Sequence, residues 1–154
     1  MKFAAILFCF IASLSSLARA DESDQTHDTK AAVNYLQKLN AGDFDITSDT
    51  ALSPHCELSR RKEIREQLEF YRKTSLNKGD TFALEDRKTE GNFSALILRS
   101  KNAAAPLSTR MHAIAVLKRD KFWLPAPIPG SFSNTGYGYD PTVEKTVKSL
   151  EKWM

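Results

Sequence analysis

Two amphipathic helices followed by an antiparallel sheet, an α+β architecture, are predicted by three observations. Apolar residues recur at helical spacing between residues 30 and 76, the period shortens to strand-like runs after Gly79, and Pro125, Pro127 and Pro129 stop the last run. In the first helix Ala31, Ala32, Tyr35, Leu36 and Leu39 share one face, and Gly42 stands where a C-terminal cap glycine belongs. Residues 43–50 form an irregular exit, and Ser53-Pro54 can start a short turn. A second helix is expected over residues 59–76, with Ile64, Leu68 and Tyr71 at i, i+4 and i+7 and a stop at Asn77-Lys78-Gly79.

Strands are expected at 81–88, 93–101, 109–118 and 121–124, forming a four-stranded meander. Glu90-Gly91-Asn92 closes the first hairpin, and residues 102–108 make a longer Ala/Pro connection. The two middle strands are apolar at both parities, so both sheet faces should be covered. The helices can cover one. For the other there are two candidates, a partner subunit and a C-terminal helix starting at Asp140-Pro141 with a stripe of Val143, Val147, Leu150 and Met154.

The N-terminus reads as a secretory signal over residues 1–20. Lys2 supplies the charge, residues 3–14 are apolar, and Ala18-Arg19-Ala20 is an A-x-A cleavage site. The apolar stretch is about 12 residues long where a spanning helix needs roughly 20, so no stable membrane anchor is expected after cleavage. The product should be exported, periplasmic or secreted. Residues 21–29, acidic and without an apolar side chain, are expected to be a disordered leader, and residues 30–154 a single α+β domain.

Cleavage removes Lys2 and Arg19, leaving 20 bases against 19 acids, which gives no electrostatic case for a nucleic-acid partner. The mixed run 60–73 interleaves Glu63, Glu66 and Glu69 with its bases, as a solvated helix face does. Cys9 leaves with the signal and Cys56 remains alone, so no intramolecular disulfide can form and a packed core must carry stability.

The order helix, irregular exit, second helix over 61–76 leading through Gly79 into the first strand, then Lys118-Arg119-Asp120-Lys121 followed by Phe122-Trp123-Leu124-Pro125, resembles the NTF2-like superfamily, in particular its exported bacterial branch. That resemblance spans residues 30–127 and implies a curved sheet wrapped on the helices as a cone whose open end can hold a small apolar ligand. Members of that family include isomerases and dehydratases as well as proteins that only bind partners, so the fold does not choose a function. The extension over 129–154 departs from the simplest family pattern.

His112 is the most informative polar residue, placed mid-strand among apolar neighbours where an imidazole could act as acid or base. The plainer reading is a half-buried histidine with a backbone partner. The cone would add Tyr35 and Trp123 as lining residues of a ligand pocket. Asp86 and Arg99 are either an interior pair or solvent-facing. His55-Cys56 are sequence neighbours and do not face each other on a helix, and the three histidines lie too far apart to suggest a metal site; no cofactor is implied. Residues 130–139 set Phe132, Tyr137 and Tyr139 among three glycines, a composition suited to a recognition loop or to a linker. The expectation is an exported, non-enzymatic domain binding a small apolar molecule or a protein partner, with a homodimer as one arrangement. The alternatives are a proton-transfer enzyme of isomerase or dehydratase type, with His112 as base and Tyr35 as donor, and an inhibitor or immunity-type protein-binding module.

Overall fold

The computed structural model of the protein describes residues 19–130, with side chains from His27 onward. Helices α1 (Arg19–Ala41) and α2 (Leu58–Ser75) precede four strands, β1 (Asp80–Glu90), β2 (Phe93–Asn102), β3 (Arg110–Arg119) and β4 (Phe122–Pro125). The strands form one open antiparallel sheet in sequence order, as the α+β reading expects. The C-terminal helix expected from Asp140 lies outside the described residues, as do Phe132, Tyr137 and Tyr139.

Gly42 ends α1 in the left-handed region at φ 76°, where its N–H bonds Leu39 O at 3.1 Å and the N–H of Asp43 bonds Lys38 O at 3.0 Å. This paired pattern satisfies two terminal carbonyls and favours glycine because no Cβ is present. A Cβ here would also lie 2.4 Å from Arg72 Nη1. The following loop is pinned to the sheet by the N–H of Ala51 on Pro125 O at 2.8 Å.

Alternation along β2 and β3 sends Leu96, Leu98, Ile114 and Val116 to the helix side. There they meet Ala32, Leu36 and Leu39 of α1 and Ile64 and Leu68 of α2, with Ile46, Leu52, Leu76 and Ile128 sealing the edges. The opposite parity places Phe93, Ala95, Ala115 and Ala126 in a second buried cluster. The prediction that both faces of the middle strands are apolar and covered therefore holds for these residues.

The N-terminal end differs from expectation. Helix α1 runs through residues 21–29, where composition predicts disorder, and Asp28 within it is fully buried. The reason lies on the sheet. The β1–β2 register shifts between Leu84 and Asp86, leaving Glu85 as a bulged residue. Beyond the bulge Arg87 pairs with Leu96, so Arg87 faces the helices, where without the extra residue it would face away. Its Nε donates to Asp28 Oδ2 at 2.8 Å, and the N–H of Thr29 donates to Asp28 Oδ1 at 2.7 Å. An ion pair of this depth holds the early turns of α1 against the sheet.

Replacing Arg87 by Met leaves the Asp28 carboxylate buried without its counter-ion and is expected to cost about 3 kcal/mol in urea unfolding. Replacing Lys38, which meets Asp49 at 2.7 Å in a solvent-screened pair, should leave the urea midpoint almost unchanged by the same measurement. Leu98→Ala should cost about 2–5 kcal/mol, as expected for a leucine with no exposed surface.

Candidate functional site

His112 sits on β3 opposite Leu98, on the helix-facing side, and is 2% exposed. Its Nδ1 lies 2.6 Å from the Tyr71 hydroxyl, which reaches it from α2. The Phe82 ring from β1 packs edge-on at 5.5 Å between centroids, and the Tyr71 ring at 6.1 Å. His112 Nε2 is buried and has no hydrogen-bond partner among the described residues. The histidine thus has a side-chain partner instead of the backbone partner its plainer reading expects.

Burial holds the His112 pKa below its ordinary value, with Asp80 opposing the shift and Arg110 reinforcing it. Burial likewise pushes the Tyr71 phenol up. Both groups are therefore neutral near pH 7, and one proton lies between them. If Tyr71 donates, the imidazole carries its hydrogen on Nε2; if Nδ1 carries it, Tyr71 oxygen accepts. Asp80 is itself anchored, accepting from Asn102 Nδ2 on Oδ1 and from the N–H of Asn77 on Oδ2, both at 2.8 Å. Arg110 donates through Nη1 to Thr74 O at 2.6 Å, near the carbonyl end of α2 where a cation is favoured.

Tyr35 and Trp123 do not join this cluster. The Tyr35 ring packs edge-on with Phe44 at 6.4 Å, and its hydroxyl donates to Pro127 O at 2.5 Å. Trp123 pairs with Lys118, whose Nζ lies 5.4 Å from the ring centroid. Lys118 lies six positions along β3 from His112, about 20 Å along a strand. The sequence does not reveal Tyr71 as the histidine's partner, although its place in the stripe with Ile64 and Leu68 marks it as inward-facing. A buried tyrosine needs a partner for its hydroxyl, and that requirement is the signal that points to His112.

Asp86 and Arg99 do not pair with each other. Asp86 accepts from the N–H of Arg87 at 2.8 Å, and Arg99 bonds the bulged Glu85 at the surface. Cys56 is half-buried against the core and His55 is exposed.

Tyr71 also belongs to a groove of about 460 Å³ lined by Glu63, Glu66, Gln67, Phe70, Tyr71 and Ile128. Phe70 is 70% exposed there, an unusual position for a phenylalanine on a polar helix face. Tyr71 therefore serves two places, with its ring at the groove and its hydroxyl on His112. Tyr35, His112 and Trp123 do not line the groove.

No family model matches the chain, and searches of curated proteins and of solved structures likewise return no match.

The pH dependence of His112 follows from the sign of its shift. In the unfolded chain the imidazole takes up a proton near pH 6.5, while in the folded protein it does so only at lower pH. Above that range both states are neutral and the contribution to stability is complete. As pH falls through it the unfolded state binds more protons, so stability declines. Unfolding free energies measured between pH 7.5 and 5 should fall more steeply for the native protein than for His112→Leu. Equal slopes would show that the imidazole protonates in place.

Proposed function

We propose that this chain is an exported, non-enzymatic domain of NTF2-like type that binds a partner protein. The groove of α2 would form one part of its docking surface and the Gly/Tyr-rich segment 130–139 the other. In this reading residues 1–20 direct export to a periplasm or beyond, the sheet curves around α1 as the wall of a cone, and Val143, Val147, Leu150 and Met154 form the apolar side of a C-terminal helix.

The observation that carries the reading is the exposed Phe70 in a groove that it lines with Tyr71, Ile128, Glu63 and Glu66. Interfaces concentrate their energy on aromatic anchors of this kind, surrounded by polar residues that exclude water. Chain continuity links the two parts. Ile128 lines the groove, and Gly130 begins the segment bearing Phe132, Tyr137 and Tyr139 two residues later. The groove is open and shallow, which suits an inserted side chain of a protein better than an enclosed small molecule.

A small apolar molecule is the second reading, favoured by the Phe70, Tyr71 and Ile128 lining. The enzyme reading has less support, because the Tyr35 hydroxyl is engaged by Pro127 while His112 is engaged by Tyr71. General acid–base work needs both groups at one substrate.

A photo-cross-linking residue placed at Gln67 in the groove should capture a partner in the source's envelope fraction, and one at Leu107, an apolar position 98% exposed, should not. Phe70→Glu should abolish that capture while changing stability by less than about 0.5 kcal/mol. Identical cross-links at both positions would refute a docking surface at the groove. A small mass lost on denaturation in native mass spectrometry would transfer support to the small-molecule reading, and a self-cross-link would identify the partner as a second copy.

A further inference from the structure

Besides the groove, a second cleft of about 290 Å³ lies where the α1–α2 loop meets the sheet. The loop contributes Thr47, Ser48, Thr50, Leu52 and Pro54, α2 contributes Arg61, and the β3–β4 end contributes Arg119 and Leu124. The bond from Ala51 N–H to Pro125 O holds the loop wall in place, so the cleft is built between pinned elements.

Neither of the two arginines has a carboxylate partner among the described residues. Arg61 is held by backbone, its Nε donating to Cys56 O at 2.9 Å and its Nη2 to Pro54 O at 2.6 Å. Both partners are neutral carbonyls, so the guanidinium is fixed in position without being neutralised, and its Nη1 is left over. Arg119 is exposed, and its guanidinium has no hydrogen-bond or ion-pair partner among the described residues. No acidic side chain lines the cleft. Asp45 lies outside the lining and accepts from the Thr47 N–H at 2.9 Å and hydroxyl at 2.7 Å. Arg60, Arg87 and Arg99 have carboxylate partners and Arg110 a backbone carbonyl, whereas Arg61 and Arg119 come together at the lining of one cleft.

We infer that this cleft binds an oxyanion carrying a short apolar group, a carboxylate or a phosphate monoester, with Arg61 and Arg119 gripping the anion and Leu52 and Leu124 receiving the apolar part. A planar guanidinium fork matches both oxyanions, and one fixed in advance loses little freedom on binding. The mixed lining of polar and apolar side chains favours a ligand that is charged at one end only. This site shares no lining residue with the groove on α2.

Hexanoate and hexyl phosphate are the probes, titrated separately into the purified protein at constant ionic strength and followed by amide shifts in NMR. Saturable shifts at Leu52, Arg119 and Leu124 are expected, and the tighter of the two probes identifies the class of oxyanion. Arg119→Gln should weaken binding about tenfold or more, as expected for loss of a charge-assisted hydrogen bond. Arg119 is the residue to change because Arg61 also ties down two carbonyls. Lys101→Gln, which removes an exposed cation outside the cleft, should leave affinity unchanged. The inference is overturned if neither probe saturates, or if Lys101→Gln weakens binding as much as Arg119→Gln, since the attraction would then be diffuse.

Discussion

The register between β2 and β3 is the constraint on which the rest of the structure depends. Pairing Leu98 with His112 and Leu96 with Ile114 assigns every even position of the two strands to the helix side. A slip of one residue would turn Leu96, Leu98, Ile114 and Val116 outward and carry His112 with them. Because Ala95 and Ala115 occupy the opposite face, where Leu and Ile stand on the helix side, the two faces are not interchangeable in volume. Close packing against α1 and α2 therefore selects one register, and the position of the histidine is a consequence of that selection.

Buried polar groups then add a second level of specification. Asp28 with Arg87, Asp80 with Asn102, and Tyr71 with His112 each join elements distant in sequence. The first holds α1 to the edge strand, the second closes the connection between α2 and the sheet, and the third ties α2 to β3. Hydrophobic burial does not distinguish one rotation of a helix from a neighbouring one sharply, whereas an unsatisfied buried carboxylate or imidazole costs enough to do so. The bulge at Glu85 belongs to the same logic, because it is what turns Arg87 towards Asp28.

The candidate sites lie outside this framework but rest on it. Tyr71 connects the two, since its hydroxyl completes an interior hydrogen bond and its ring faces the open groove beside Phe70. The cleft at Arg61 has a similar origin: a helix side chain is committed to loop carbonyls, and the loop is committed to β4. In both places a structural bond orients a side chain whose remaining surface is free to meet something else. Such an arrangement suits recognition, because the orienting cost is met during folding.

Local rules were enough to read the elements. The helical stripe of Ala32, Leu36 and Leu39, the cap at Gly42, the turn at Gly91 and the double-sided apolar strands are all short-range patterns, and the structure follows them to within a few residues. The sequence by itself also determined that His112 would lie on a strand among apolar neighbours. It misplaced the start of α1, because Asp28 reads as solvated in isolation and its partner is 59 positions away. It set Tyr35 beside His112 where Tyr71 stands, because both tyrosines lie on apolar helix faces and only the packing of α2 against β3 distinguishes them. The convergence of Arg61 with Arg119 was equally hidden. Spacing along the chain encodes which side of an element a residue occupies, but which residues meet across elements is decided by register, bulge and helix rotation, and those are properties of the packed whole.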